Sequence, residues 1–430
     1  MHINNIKKLL HLKDKDLIIT NFNYESNNAI LNIEFKKANQ TCPNCRKTTS
    51  YVHDYRTRKF KYGNVNGYNL IVLYKRRRYV CKNCSKRFPE KNGFIDRYAK
   101  ISNQLNNMIL KKLRDKNTFL QISKSLNISS STVIRRFDKH YSAIKPDIPS
   151  VISVDEFKKS NTNSKLGKYA LIISDPINKK IIDILPNRRK NHFDNYLYKL
   201  PTSALNNVKI AVIDMWEPYR DLLKKHFINA EIVIDRFHYI RHIIWWLNDI
   251  RVKAMDEYKR NQGGYKLLKR YNKLLTKNPI NISRFFKHNN YFKKLMSQKT
   301  IIDKCLEYSE ELKRAYEFYK HFQINTETPF ENKEEALEFI DDYVNKLYSS
   351  KLDGSKDLAN TFINWRNEIA NSLYLFYKKE EAVCRYTNGF MEGVNNFIKT
   401  FRRMCFNIRD FNRFVTRIIT VFNNEFLIKA

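Results

Sequence analysis

Apolar and polar positions change rhythm several times along this chain of 430 residues. A short helix-like segment opens it, and residues 29–35 then alternate apolar with polar side chains, the period of a half-buried strand. From 98 to 146 the apolar residues recur at helical spacing. Ile122 and Leu126 share one face, Asn127 suits a turn, Ser129 or Ser130 can cap a second helix, and Val133, Phe137 and Tyr141 continue the stripe. Pro146-Asp-Ile-Pro149 reads as a linker. Beyond it the spacing predicts strands over 151–157, 169–174 and 180–185, a helix over 191–200, a strand over 208–214, a helix near 217–226 and a strand over 230–234. The fourth strand is the clearest: Ile210, Ala211, Val212 and Ile213 run straight into Asp214, as a buried central strand does. After 238 the pattern is helical for most of the remaining chain. Near its end Phe390, Val394, Phe397 and Phe401 define a further apolar stripe.

A three-stranded meander followed by strand, helix and strand is the order of a ribonuclease H-like α/β fold with a mixed five-stranded sheet. In that order the first and fourth strands are neighbours, so Asp155 and Asp214 approach each other. Asp214 then stands at the carboxyl end of its strand, the rim where open α/β sheets place ligands. The plainer reading of an aspartate there is a cap for the next helix.

Cysteine placement adds a metal. Cys42-Pro-Asn-Cys45 and Cys81-Lys-Asn-Cys84 flank a β-rich insert, the sequence form of a zinc ribbon with four thiolate ligands. A redox pair would need one such motif rather than two. His53 lies between the knuckles as a bystander. The other three of the seven cysteines, Cys305, Cys384 and Cys405, stand alone. An odd, clustered set argues for a reducing, cytoplasmic setting. No apolar run approaches the ~20 residues of a membrane span, and the first residues lack the apolar stretch of a secretion signal.

Charge names the partner. The chain carries 80 Lys and Arg against 43 Asp and Glu, a net charge of +37. A surplus that large implies a polyanion, and nucleic acid is the first candidate. Lys75, Arg76, Arg77 and Arg78 precede the second knuckle and are expected at a phosphate backbone. Ser131, Thr132, Arg135, Arg136 and Lys139 face outward from the second helix of a helix-turn-helix, suited to a major groove. Asn395, Asn396, Lys399 and Arg403 join Glu392, the one acid on its helix face. Three carboxylates from distant stretches, Asp155, Asp214 and Glu392, suit two Mg²⁺ (or Mn²⁺) ions roughly 3.5–4 Å apart; Glu156 and Glu217 are the rivals. Asp235 and His238 fit either a supporting role or a cap and a packed histidine. Trp245 and Trp246 fit either base stacking or the core.

The expected domains are a zinc ribbon over 1–97, a helix-turn-helix over 98–148, the first part of the catalytic domain over 149–240, an all-helical insertion over 241–384, and the last part, with the Glu392 helix and a C-terminal helix, over 385–430. Across them Cys42-Pro-Asn-Cys45, Val154-Asp155-Glu156, Asp214-Met-Trp-Glu-Pro-Tyr219, Asp235-Arg-Phe-His238 and Asn388-Gly-Phe-Met-Glu392-Gly-Val-Asn-Asn-Phe-Ile-Lys399 occur in order. In these motifs the chain resembles the bacterial insertion-sequence transposases of the ISL-three family, with Val394 where leucine is expected. The resemblance implies a DDE active site of Asp155, Asp214 and Glu392 that cuts and rejoins DNA at element ends. It also implies double-stranded DNA as partner and a homodimer on that DNA at the nucleoid. A DNA-binding regulator without catalysis and a metal-dependent nuclease that joins no strands are the alternatives.

Overall fold

The computed structural model describes residues 16–65, 67–142, 147–159, 167–404, 410–424 and 427–428. The opening helix-like segment, Pro146 of the linker and Cys405 lie outside them. Two compact units divide the chain: Met1–Ile144 with Lys399–Ala430, and Lys145–Ile398.

In the first unit, β1 (Leu17–Glu25), β2 (Asn28–Phe35), β5 (Val52–Val65) and β6 (Tyr68–Val80) form a sheet in the order β1-β2-β6-β5; β3 (Gln40–Thr41) and β4 (Thr48–Thr49) pair separately, and β7 (Arg87–Pro89) adds to β6. Alternation buries Leu70, Val72 and Tyr74 of β6 with Leu31 and Ile33 of β2. Further along β6 the buried positions shift to Arg77 and Tyr79, and Tyr79 joins Cys42, Cys81 and Phe88 in a second small core. Helices α1 (Asn103–Lys112), α2 (Phe119–Ser125) and α3 (Ser130–His140) follow, then β8 (Tyr141–Ser142), which pairs with Leu427–Ile428. Thr118 and Gln121 make a reciprocal capping box for α2, Asn127 takes the left-handed turn at φ 48, and Ser129 caps α3. Ile122, Leu126, Val133, Phe137 and Tyr141 share one core with α1.

The last helix of this unit, Phe411–Asn423, supplies Arg417, which is fully buried. Its guanidinium donates to the carbonyl oxygens of Leu113, Asp115 (3.0 Å) and Asn117 (2.7 Å) and lies near the rings of Phe119, Phe137 and Phe401. Carbonyls left over at the end of α1 thus receive a charged donor, the complement a helix C-terminus needs.

The second unit is built on β9 (Val151–Lys158), β10 (Tyr169–Asp175), β11 (Lys180–Leu185), β12 (Ile210–Ile213) and β13 (Glu231–Ile234), in the order β11-β10-β9-β12-β13. The meander pairs antiparallel, while β12 runs parallel to both β9 and β13. Between strands run α4 (Lys190–Leu197), α5 (Thr202–Asn206) and α6 (Glu217–His226). Then come α7 (Arg236–Asp256), α8 (Gly263–Arg270), α9 (Asn272–Leu275), the hairpin β14 (Lys287–Asn289) and β15 (Lys294–Met296), α10 (Gln298–Leu306), α11 (Glu310–Asn325), α12 (Lys333–Ser349), α13 (Ser355–Asn364) and α14 (Arg366–Tyr374). A second hairpin, β16 (Phe376–Lys379) and β17 (Ala382–Arg385), precedes α15 (Gly389–Met404).

The expected all-helical insertion over 241–384 therefore contains strands. Both hairpins are short and largely exposed, turning at Lys293 (φ 51) and Glu380 (φ 55), so they leave no apolar period to read. One continuous core joins one face of the sheet to the helical body, and Trp246 belongs to it, donating Nε1–H to the Asp353 carbonyl at 2.9 Å.

Candidate functional site

Apolar side chains place the second unit's acids. Val212 and Ile213 bury β12 completely, so the chain reaches the sheet rim at Asp214, beside the parallel neighbour β9 that carries Asp155. A cavity of about 330 Å³ opens there, lined among others by Asp155, Asp214, Arg188, Trp216, His238 and Arg241. Burial first, and then the charge of Asp214, push the Asp155 carboxyl up to about 6.

Helix α15 and the residue just before it supply hydrogen bonds to both acids. Asn395 Nδ2 donates to Asp155 Oδ2 at 2.9 Å, and Asn388 Nδ2 donates to Asp214 Oδ1 at 2.9 Å. Asn388 is buried and bonded on every side. Its Oδ1 accepts from Ser153 Oγ, and its backbone N–H donates to Asp235 Oδ2 at 2.8 Å. Asp235 Oδ1 accepts from the Phe237 N–H at 3.0 Å, so both its oxygens hold backbone and it caps α7. His238 Nε2 lies 2.9 Å from Asp214 Oδ1, while its Nδ1 lies 3.1 Å from an Arg241 nitrogen. A guanidinium has no lone pair to offer, so Nδ1 accepts and Nε2–H donates to Asp214.

Glu392 is exposed, on the α15 face it shares with Asn388 and Asn395, one turn from each. Asp155, Asp214 and Glu392 do not bring three ligand atoms within 4.8 Å of one another. Among the described residues, the one group of three or more possible metal ligands with donor atoms within 4.8 Å of one another is Cys42, Cys45, Cys81 and Cys84. Of the rivals, Glu156 is engaged structurally, accepting from Tyr219 at 2.9 Å and pairing with Arg188 at 2.7 Å; Glu217 is exposed at the start of α6. Burial, and then Glu156, keep the Tyr219 phenol protonated.

Two expectations about this region need correction. The buried stripe of α15 is Met391, Val394, Ile398 and Phe401; Phe390 and Phe397 are half-buried at its margins. Val394 and Phe401 keep their expected places while Met391 and Ile398 replace Phe390 and Phe397, and Asn395 lies at the sheet rim. Asn395 is consequently engaged with Asp155 rather than offered to a phosphate, whereas Asn396, Lys399 and Arg403 are exposed. Trp245 is exposed, under the Arg241 guanidinium at 4.7 Å, and Trp246 is core.

A cation fits the acidic rim chemically. Two carboxylates face one cavity, one of them held above its ordinary range by burial and then by the other's charge, and Asn395 Oδ1 is buried beside them without a hydrogen-bond partner. Arg188 and Arg241 carried no sequence signal of their own as parts of this site, whereas Asn388 shares helical spacing with Glu392 and Asn395 in the motif that begins with it.

In the first unit the two knuckles are built alike. The Cys42 and Cys81 N–H groups donate to the Lys47 and Lys86 carbonyls, and Arg46 and Ser85 occupy the left-handed region. Cys42 Sγ lies 3.6 Å from Cys84 Sγ and Cys45 Sγ 3.5 Å from Cys81 Sγ, near the ~3.8 Å edge of a tetrahedron with 2.3 Å zinc–sulfur bonds. The Lys86 backbone, then the Asn44 side chain, pull the Cys84 thiol down to about 6, and the Lys47 backbone lowers Cys45.

The basic run of β6 also needs correcting. Arg77 is buried, donating to the Phe35 carbonyl at 2.5 Å and pairing with Glu90 at 3.4 Å. The strand's second face is covered here, so this guanidinium is unavailable to a phosphate. Arg78 pairs with Asp54 at 3.0 Å, Arg76 is half-buried, and Lys75 is exposed. On α3, Ser131, Arg135 and Lys139 are exposed and Thr132 and Arg136 half-exposed.

A family model described as a transposase matches residues 152–418. A second, described as the zinc-finger of the transposases of IS204, IS1001, IS1096 and IS1165, matches 38–84. The transposase for insertion sequence element IS1001 of Bordetella parapertussis is 22% identical over 392 residues, spanning 89% of this chain and 88% of that protein. A protein named ATP-dependent protease, from Lactococcus lactis subsp. lactis, is 28% identical over 145 residues, 33% of this chain and 41% of its own length. No helix among the described residues is long and apolar enough to cross a membrane.

Proposed function

The chain belongs to the ISL3 family of insertion-sequence transposases, and from that premise we propose that it cleaves and rejoins DNA at the cavity lined by Asp155 and Asp214. The observation that carries this reading is the pair of carboxylates at adjoining strands, one of them pushed up to about 6, facing one cavity. The sheet order, a meander followed by two parallel strands, supports a ribonuclease H-like fold for the catalytic unit.

Asp155, Asp214 and Glu392 would hold Mg²⁺ or Mn²⁺, which supplies Lewis-acid stabilisation of the attacking and leaving oxygens. The protein's own contribution is orientation. Asn388 and the His238 N–H converge on Asp214 Oδ1 and leave Oδ2 without either bond, and Asn395 fixes Asp155. Glu392, exposed on α15, would complete the ligand set.

Helices α2 and α3 with the turn at Asn127 support a helix-turn-helix that reads the element's terminal inverted repeats, and Cys42, Cys45, Cys81 and Cys84 would hold structural Zn²⁺. The protein works on double-stranded DNA as a homodimer, at the nucleoid of the cytoplasm. The test is cleavage and strand transfer on a duplex carrying the terminal repeat. Asp214→Asn and Glu392→Gln should abolish both steps while leaving end binding intact. Undiminished cleavage by Asp214→Asn would remove the assignment.

A further inference from the structure

Resting on the reading of this cavity as the active site, we propose that Arg188 and Arg241 form a clamp for a phosphodiester, gripping its non-bridging oxygens opposite the carboxylates. Both side chains line the cavity with Asp155 and Asp214, yet neither is ion-paired with those acids. Arg188 bonds Glu156 and lies over the rings of Tyr169 at 4.5 Å and Trp216 at 5.5 Å. Arg241 bonds the neutral nitrogen of His238 and lies over Trp245 at 4.7 Å and Phe237 at 5.5 Å.

Three features make these two arginines anion-binding groups rather than cavity lining. First, Arg241 makes no ion pair among the described residues, and its Nε is buried without a hydrogen-bond partner. A half-buried guanidinium with no carboxylate partner and an unmet Nε donor favours an anionic acceptor at its open nitrogens. Second, aromatic stacking holds both planar forks in place, so little side-chain freedom remains to be lost when an anion is gripped. Third, the carboxylates repel a phosphodiester, and two cations lining the same cavity offset part of that repulsion. Paired arginine forks match phosphate oxygens in a way that lysines do not.

The experiment is binding by the full chain in Ca²⁺, which separates affinity from cleavage. The probes are two terminal-repeat duplexes that differ at the cleavage position, one with the natural phosphodiester and one with an uncharged methylphosphonate. Wild type should bind the methylphosphonate duplex roughly tenfold more weakly. Arg241→Gln should lose a similar factor on the natural duplex and little more on the methylphosphonate. Arg188→Lys, which keeps a cation beside Glu156 but removes the fork, should show the same loss of discrimination, and Arg241→Lys should recover part of it.

If the Arg241→Gln and methylphosphonate losses multiply instead, or if Arg241→Gln binds the natural duplex like wild type, the clamp is wrong. A thermal midpoint for Arg241→Gln equal to wild type excludes misfolding as the source of a loss. Failure of the underlying active-site reading shows separately, as normal cleavage by Asp214→Asn in Mg²⁺.

Discussion

Asn395 donates a 2.9 Å hydrogen bond to Asp155 from the same helical face that carries Glu392. The contact joins two stretches of chain 240 positions apart, and it makes the setting of α15 a determinant of where the first carboxylate points.

Asp155 gives the pH dependence of the metal-free protein. Its folded value of about 6 lies above the ordinary 3.8, so the native state holds a proton that the unfolded state has released between those limits. The Asp155 contribution to stability is therefore fullest below about 4 and falls as pH rises towards 6, by up to about 3 kcal/mol. Thermal midpoints of the chelated protein should decline over that window relative to Asp155→Asn. Mg²⁺ at neutral pH should raise the wild-type midpoint and leave the variant unmoved.

Asn388→Ala should cost about 1–3 kcal/mol in chemical denaturation, because the fully buried Ser153 and the buried Asp235 each lose or loosen a partner and half-exposed Asp214 loses one of its two. Asn388→Asp should be worse for activity, since it sets a second carboxylate against Asp214 Oδ1. An Asn388→Asp protein that cleaves like wild type would show that this amide does not orient Asp214.

Lys75 and Arg77 are two positions apart and should behave oppositely. Lys75→Gln should leave the thermal midpoint unchanged and lower the slope of log affinity against log salt by about one. Arg77→Gln should destabilise the first unit by about 3 kcal/mol or more, since it strands Glu90 in a buried site. Salt titrations of DNA binding and urea melts of both variants check this.

Metal analysis should find one zinc per chain. Stripping it with a strong chelator should weaken end binding, while Cys84→Ser should lower zinc content without changing the Asp155 titration, whose groups belong to the other unit.

The strands of the second unit were legible because their apolar runs leave little choice: predicted 180–185 and 217–226 coincide with β11 and α6, and Asp214 falls at the rim as Ile210–Ile213 requires. Each knuckle was legible in its cysteines. What escaped was rotation and pairing. Phe390 and Phe397 are as apolar as Met391 and Ile398, so sequence alone does not set the turn of α15; the buried bonds of Asn388 do. Arg77 looked like its three basic neighbours until the cover on β6 was known. Arg188 and Arg241 met the cavity through tertiary contacts that no local spacing encodes.

The buried Arg417 has a consequence for how the molecule is made. Its guanidinium satisfies carbonyls at the end of α1 and reaches the core rings Phe119 and Phe137, some 300 positions earlier. During vectorial synthesis the amino-terminal helices leave the ribosome first, with those carbonyls still facing water. Their packing is completed after the second unit has been translated. A product truncated before Arg417 thus carries Phe119 and Phe137 without the side chain that closes their core, and completion of the first unit becomes coupled to synthesis of the second.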